Sequence, residues 1–358
     1  MWFIVNTREF KSKLNTLGKL LSGDWPSVAS SILLETEPEY LSMTVTNLDT
    51  SAKTAIFEEN GGIKIEDDSN AIIVPKTLAS AIAYFDDDSE IEMSITDNNK
   101  LQIKNGKNKL SLSSLDASKF PELKFDYDKY CEFPKELITD YLPTVMSASS
   151  LLLLQPILTG IRFYQSDGVL SLQGADGFRM AFTEMKIDSE DFDVTIPRNS
   201  LTMLPTITED SIGFGFHGNK VVFEVGDFIF QLPTLGGIYP NFMSKVTRKY
   251  KIVLKLDFEW LRKAINLCSL VGENGILEAD GSKLYIRTES QAGSHVSSLD
   301  YECEPFKVAL KLPYLKDLVS TAKEDIAKIG INSSTDPVAF ISGKEVKSVY
   351  IILPLLER

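Results

Sequence analysis

Val194-Thr195-Ile196-Pro197-Arg198-Asn199-Ser200-Leu201 is an apolar strand that runs into a proline and then into a helix start. The same phrase stands at Ile72-Ile73-Val74-Pro75-Lys76-Thr77-Leu78 and at Leu310-Lys311-Leu312-Pro313-Tyr314-Leu315. Proline suits the first helical turn, where its missing N–H would lack a partner anyway. The three prolines stand about 120 residues apart, so the chain reads as one unit written three times.

A second helix recurs at nearly the same period. Phe10, Leu14, Leu17 and Leu21, then Leu137, Tyr141, Val145 and Ala148, then Phe258, Leu261, Ile265 and Cys268 each place one apolar stripe on an amphipathic helix. Elsewhere apolar and polar residues alternate, as in Leu41–Val45, Ile91–Ile95, Leu170–Leu172, Val221–Val225 and Leu284–Ile286. That period of two means antiparallel strands with one buried face. Asp97-Asn98-Asn99, Asn105-Gly106, Asp167-Gly168, Gly218-Asn219 and Asp280-Gly281 separate them as turns. Phe120-Pro121-Glu122-Leu123 and Tyr239-Pro240-Asn241-Phe242 close successive units. The expected fold is α+β, three tandem domains over residues 1–124, 125–247 and 248–358.

The 358 residues are 43% hydrophobic and 24% charged, a globular composition. Lys and Arg number 37 against 50 Asp and Glu, a net charge of −13, which argues against gripping nucleic acid with the whole surface. Charge is uneven, however. The predicted helix Thr7–Leu21 has Arg8, Lys11, Lys13 and Lys19 against Glu9 alone, and the predicted helices together are mildly basic. A helix of about 12 residues spans about 18 Å and faces on the order of ten duplex phosphates. So small an excess gives weak, sequence-blind attraction that suits sliding; the alternative is that these charges are simply solvated. Cys131, Cys268 and Cys303 are isolated, which argues against a disulfide framework or a zinc knuckle. The apolar start Met1–Val5 is too short for a signal peptide, and no run approaches a membrane span. The expectation is a soluble protein of a reducing cytosol.

Chemistry-bearing patterns are missing. His217 and His295 have no ligand or nucleophile partner at a recognisable spacing. Asp86-Asp87-Asp88 and Glu66-Asp67-Asp68 read as solvated turns, although carboxylates can bind Mg²⁺. There is no phosphate loop, and Gly213-Phe214-Gly215 lies in a strand. No cofactor or metal is called for. Leu151–Leu154 reads as a buried helix end or strand, with a partner-binding stripe as the alternative. These gaps favour a binding or scaffold protein over an enzyme.

At Gly160-Ile161-Arg162-Phe163, Gly168–Leu172 and Ala175-Asp176-Gly177-Phe178-Arg179-Met180-Ala181, the chain resembles the bacterial DNA polymerase III beta subunit, the replicative sliding clamp. That family carries a Thr-Asp-Gly-His/Tyr-Arg-Leu-Ala run there. Val225-Gly226-Asp227-Phe228-Ile229-Phe230, Tyr239-Pro240-Asn241 and the ending Tyr350-Ile351-Ile352-Leu353-Pro354-Leu355 are similar to its later stretches. The resemblance implies three repeats of the DNA clamp fold, with helices lining the inside and antiparallel sheets outside, and a head-to-tail ring dimer. It also implies a partner-peptide groove at Leu158, Ala175, Gly177, Phe178, Arg179, Met180, Pro240, Val246, Ile351, Leu353, Pro354 and Leu355. Without the likeness these are ordinary core and strand-end residues. Ala175 and Phe178 depart from the family's Thr and His or Tyr, and Asp24 stands where relatives have a basic DNA contact. Lys11, Lys13, Lys76 and Arg198, taken from the helix charges, are the DNA-facing candidates; Leu110 and Leu112 would meet Leu267 and Leu270 of a second copy.

The function so implied is a non-catalytic processivity factor. It would encircle double-stranded DNA without reading sequence and tether the polymerase catalytic subunit and a clamp loader through short linear motifs. The expected form is a homodimer in the bacterial cytoplasm, associated with the nucleoid and not with a membrane. One rival is a clamp-fold hub that binds such motifs without encircling DNA. The other is an enzyme acting through the acidic runs.

Overall fold

The computed structural model describes residues 1–67, 70–96, 98–202, 204, 210–246, 249–343 and 346–356. In chain order, β1 (Trp2–Asn6) leads into α1 (Thr7–Gly18), then β2 (Ser31–Thr36), β3 (Tyr40–Thr46), β4 (Ser51–Phe57), β5 (Ile63–Asp67), β6 (Asn70–Pro75), α2 (Thr77–Ile82), β7 (Glu90–Ile95), β8 (Lys100–Asn105), β9 (Asn108–Ser113) and a short β10 (Leu115–Asp116). The second stretch has β11 (Asp128–Pro134), α3 (Leu142–Ala148), β12 (Gly160–Ser166), β13 (Val169–Ala175), β14 (Arg179–Lys186), β15 (Phe192–Pro197), α4 (Arg198–Leu201), β16 (Ser211–His217), β17 (Lys220–Val225) and β18 (Phe228–Pro233). The third has β19 (Ile252–Asp257), α5 (Phe258–Ser269), β20 (Asn274–Ala279), β21 (Lys283–Ser290), β22 (Gly293–Asp300), β23 (Phe306–Lys311), α6 (Leu312–Thr321), β24 (Ile326–Ile331), β25 (Val338–Ser342) and β26 (Lys347–Ile352).

The fold is α+β and the unit repeats three times. Each unit makes one four-strand set in the order β6-β2-β3-β4, β15-β12-β13-β14 or β23-β20-β21-β22, and a second in the order β1-β7-β8-β9, β11-β16-β17-β18 or β19-β24-β25-β26. Among the described residues, β5 and β10 are the additions, both in the first unit. The sets fuse across units. β4 pairs with β18 in a nine-stranded sheet, and β14 pairs with β26 in an eight-stranded one. Contacts accordingly gather into two compact bodies, residues 1–132 with 211–233, and residues 133–210 with 234–358. All described pairings are antiparallel, as the alternating sequence predicts.

Local chemistry explains the elements. Asn6 caps α1 by accepting from the Glu9 N–H at 3.1 Å, and Asp257 caps α5 by accepting from Glu259 and Trp260. Phe258, Leu261, Ile265 and Cys268 are all buried, as the stripe requires. Each such large side chain contributes about 1.5–3 kcal/mol by leaving water. The α1 stripe is buried at Phe10, Leu14 and Leu17, but the helix stops at Gly18, so Leu20 turns inward instead of Leu21. The predicted helix before Ala148 contains a wide π-type turn at Leu137–Tyr141. Pro143 supplies no N–H to the carbonyl one turn back and crowds it, which favours the wider turn. The extra residue buries Leu142 and leaves Tyr141 half-exposed, contrary to the simple spacing. Pro75 and Pro197 end strands one or two residues before their helices, whereas Pro313 does open α6. Asp167 and Gly168 both take positive φ, as a two-residue hairpin turn demands. Asp97, and residues 203, 205 and 206 of the predicted helix after Pro197, lie outside the described residues.

Candidate functional site

The site grows from the turn Asp176-Gly177-Phe178 ahead of β14. Asp176 accepts from the backbone N–H groups of Phe178 and Arg179, both at 2.9 Å, and Gly177 takes φ +92°. The turn's Phe178 carbonyl accepts from the Leu353 N–H at 2.9 Å, and Met180 lies opposite Ile351 in the β14–β26 pairing. Residues more than 170 positions apart in the sequence thereby form one wall. Phe242, Val246 and Tyr250 form another, with Pro337 and Ala339 completing a cavity of about 280 Å³. Its floor is the packed group Ala175, Met180, Phe182, Ala339 and Val349. Phe178 stands at the rim, 63% exposed.

Arg179 lines this cavity but spends its charge on its own chain. The guanidinium donates to Asp176 at 2.9 Å, to Asp317 at 2.5 Å and to the Tyr350 hydroxyl at 3.0 Å, and stacks 4.3 Å from the Tyr314 ring. Burial pulls its pKa down, but Tyr350, Asp317 and Asp176 outweigh that and the net shift is upward. Burial likewise raises the Tyr250 hydroxyl, and pushes Tyr350 up to about 12. The arrangement can seat one or two large apolar side chains, with backbone and an aromatic rim to orient them.

Gly177, Phe178, Arg179, Met180, Val246, Ile351 and Leu353 are brought together as lining residues. Ala175 lies beneath them in the core. Leu158 is buried in the short helical turn Pro156–Thr159, and Pro240 and Pro354 are half-buried without lining the cavity. Leu355 belongs elsewhere. Its N–H donates to the Ala309 carbonyl at 2.8 Å, and it faces a second cleft with Lys251, Phe306 and Ser333. Sequence reading missed Phe242, Tyr250, Pro337 and Ala339 as lining. One signal was present: Gly330, a glycine inside a strand, marks a close approach, and the ring of Tyr250 is what approaches.

The DNA-facing candidates need correction. Lys13 is buried, pairs with Asp227 at 2.7 Å and sits over the Phe228 ring; its predicted exposure fails because its partner lies 214 positions away in sequence. Lys11 donates to Asp87 at 2.6 Å and to the Phe85 carbonyl, and Arg8 pairs with Asp88. The acidic run after α2 is therefore a counter-charge for α1 and not a free turn. Asp67 pairs with the chain's amino terminus, while Asp68 lies outside the described residues. Lys76 donates to the Gly23 carbonyl at 2.6 Å, and Arg198 is half-buried at the start of α4. Leu151–Leu154 are exposed, not buried as expected, because the chain leaves α3 and loops outward before Pro156. Leu110 and Leu112 lie half-buried on β9, at the edge of its sheet, and Leu267 and Leu270 lie exposed at the end of α5.

Residues 1–124 match the family model for the N-terminal domain of the DNA polymerase III beta subunit, and residues 135–241 match the model for its central domain. The chain belongs to the DNA polymerase III beta-subunit family. The beta sliding clamp of Halalkalibacterium halodurans is 21% identical over 99% of both chains. The crystal structure of the Streptococcus pyogenes polymerase beta subunit superposes with a TM-score of 0.91 at 20% identity, covering 100% of both chains. The Helicobacter pylori beta clamp bound to a DNA ligase peptide gives 0.88, again at 20% identity and full coverage of both. Among the described residues no helix is long and apolar enough to cross a membrane, and no cluster of three or more acidic, histidine or cysteine side chains could hold a metal ion.

Proposed function

We propose that this chain is a processivity clamp: two copies close head to tail around duplex DNA, and the Met180 cavity anchors apolar linear motifs of the polymerase catalytic subunit and a clamp loader. The observation that carries this is the repeated joint. The last strand of a unit's first set pairs with the last strand of the next unit's second set, β4 with β18 and β14 with β26. The remaining pair of that kind is β22 and β9, and both are edge strands. The rule that joins units within the chain, applied between copies, pairs β22 of one with β9 of the other; a heterologous contact whose rotation closes after two copies makes a ring. Leu110 and Leu112 ride on β9, and Leu267 lies on, and Leu270 just beyond, the helix packed on β22.

On this reading the domains are residues 1–124, 125–247 and 248–358, helices face the DNA, and the protein works in the cytoplasm on the nucleoid. It does no chemistry, and DNA is retained by enclosure. The neutralised cations of α1 fit that, since a topological tether needs little attraction, and Lys76 and Arg198 are the DNA-facing candidates without an ion pair among the described residues. The same neutralisation also favours the second reading, a hub that binds motifs without encircling DNA. Loading on circular DNA by the matching ATP-driven loader, followed by linearisation, separates the two. A clamp persists on circles and slides off cut ends; equal loss from both forms leaves only the hub.

A further inference from the structure

Four consecutive leucines, Leu151–Leu154, stand on the surface with 65% to 88% of each exposed. Together they present on the order of 500 Å² of apolar surface, a patch of the size that marks an interaction site on a soluble protein. The loop that carries them is closed at its base. The Ser150 N–H donates to the Leu158 carbonyl at 2.9 Å, the Leu158 N–H to the Gln155 carbonyl at 3.0 Å, and the Ser150 hydroxyl accepts from the Leu152 N–H. The leucines are thus held outward before any partner arrives, which lowers the ordering cost of binding.

Charge identifies the kind of partner. No charged residue occurs between Asp140 and Arg162, nor between Asp227 and Lys245. A phosphate backbone or an anionic lipid surface is recognised through Lys and Arg, and this patch has neither. Packing also links the base of the leucine loop to the wall of the Met180 cavity. A β-carbon on Gly237 would lie 3.9 Å from Ile157 Cδ1 in the leucine loop. Ile238 follows, 93% exposed, and the buried Tyr239 stacks edge-on against Phe242 of the cavity wall.

We propose that Leu151–Leu154 with Ile238 form a second docking surface, for an apolar face on the folded body of the same protein whose linear motif occupies the Met180 cavity. This rests on the cavity reading above. The occupant is one polypeptide with two contacts, so the loop adds affinity for the whole partner and none for its isolated motif.

The test compares two probes, the replicative polymerase catalytic subunit from the same organism and a synthetic peptide of its apolar linear motif. Their Kd values are measured for the unaltered clamp, for the quadruple change Leu151→Ser, Leu152→Ser, Leu153→Ser and Leu154→Ser, and for Met180→Lys. The quadruple variant should bind the peptide within twofold of the unaltered protein and the whole subunit at least tenfold more weakly; the pair Leu152→Gln with Leu154→Gln should fall between. Met180→Lys should weaken both probes. Unchanged binding of the whole subunit by both loop variants overturns the proposal. So does a loop defect seen instead in retention on nicked circular DNA or in binding to phosphatidylcholine vesicles. If Met180→Lys weakens neither probe, the cavity reading falls, and the shared partner with it.

Discussion

At Gly330 strand β24 carries no side chain, and the Tyr250 ring lies where one would be: a β-carbon there would sit 2.4 Å from the ring. Gly330→Ala should therefore displace Tyr250 from the cavity wall. A titration with an apolar motif peptide should show on the order of tenfold weaker binding, about 1.4 kcal/mol, with the oligomer unchanged. Asp280 works through its turn. It accepts from the N–H groups of Ser282 and Lys283 and from the Tyr285 hydroxyl, and these bonds, the Ser282 N–H first, hold its pKa below the ordinary 3.8. A carboxylate depressed on folding adds stability above pH about 4 and loses it as pH falls through the folded value. Asp280→Asn should be less stable than the unaltered chain at pH 7, and urea midpoints should converge as pH drops toward 2. The buried Cys268 thiol, pushed up to about 11 by burial, adds no titration near neutrality.

Among the elements, α3 shows what the sequence reveals and what it hides. Its stripe is visible because burial follows period, but the π-type turn at Leu137–Tyr141 shifts which residues face inward, and a single proline inside a helical pattern does not announce a wider turn in place of a break. The helix reaches its sheet over Gly174, where a β-carbon would meet the Val145 carbonyl at 2.3 Å. Backbone cannot yield as a flexible side chain can. Gly174→Val should push α3 off β13 and cost about 1–3 kcal/mol, read as a lowered melting midpoint. The cavity was legible where a run such as Gly177–Met180 carries it. It was not legible at Tyr250 and Pro337, whose place depends on which strands become neighbours. Lys13 failed for the same reason: a cation on a helix face is exposed or buried according to a carboxylate supplied by a distant hairpin.

For the whole molecule, the threefold period was readable in the spacing of prolines and stripes, because each copy must solve the same burial problem. The strand that each copy lends to its neighbour was not, since alternation marks a strand without naming its partner. That loan yields the sharpest test of assembly. Leu110→Glu with Leu112→Glu places charge on β9 at the proposed seam, and native mass should fall from two chains to one while motif-peptide affinity stays within twofold. A mass of two chains would remove β9 from the interface.

The joints β4–β18 and β14–β26 have one more consequence. No single copy of the unit is self-sufficient: excised from its neighbours, it would bare the flanks of strands that are now sealed, and bare flanks recruit one another indiscriminately. Recombination that shuffled lone copies into other proteins would be penalised by aggregation, so inheritance must carry all three together.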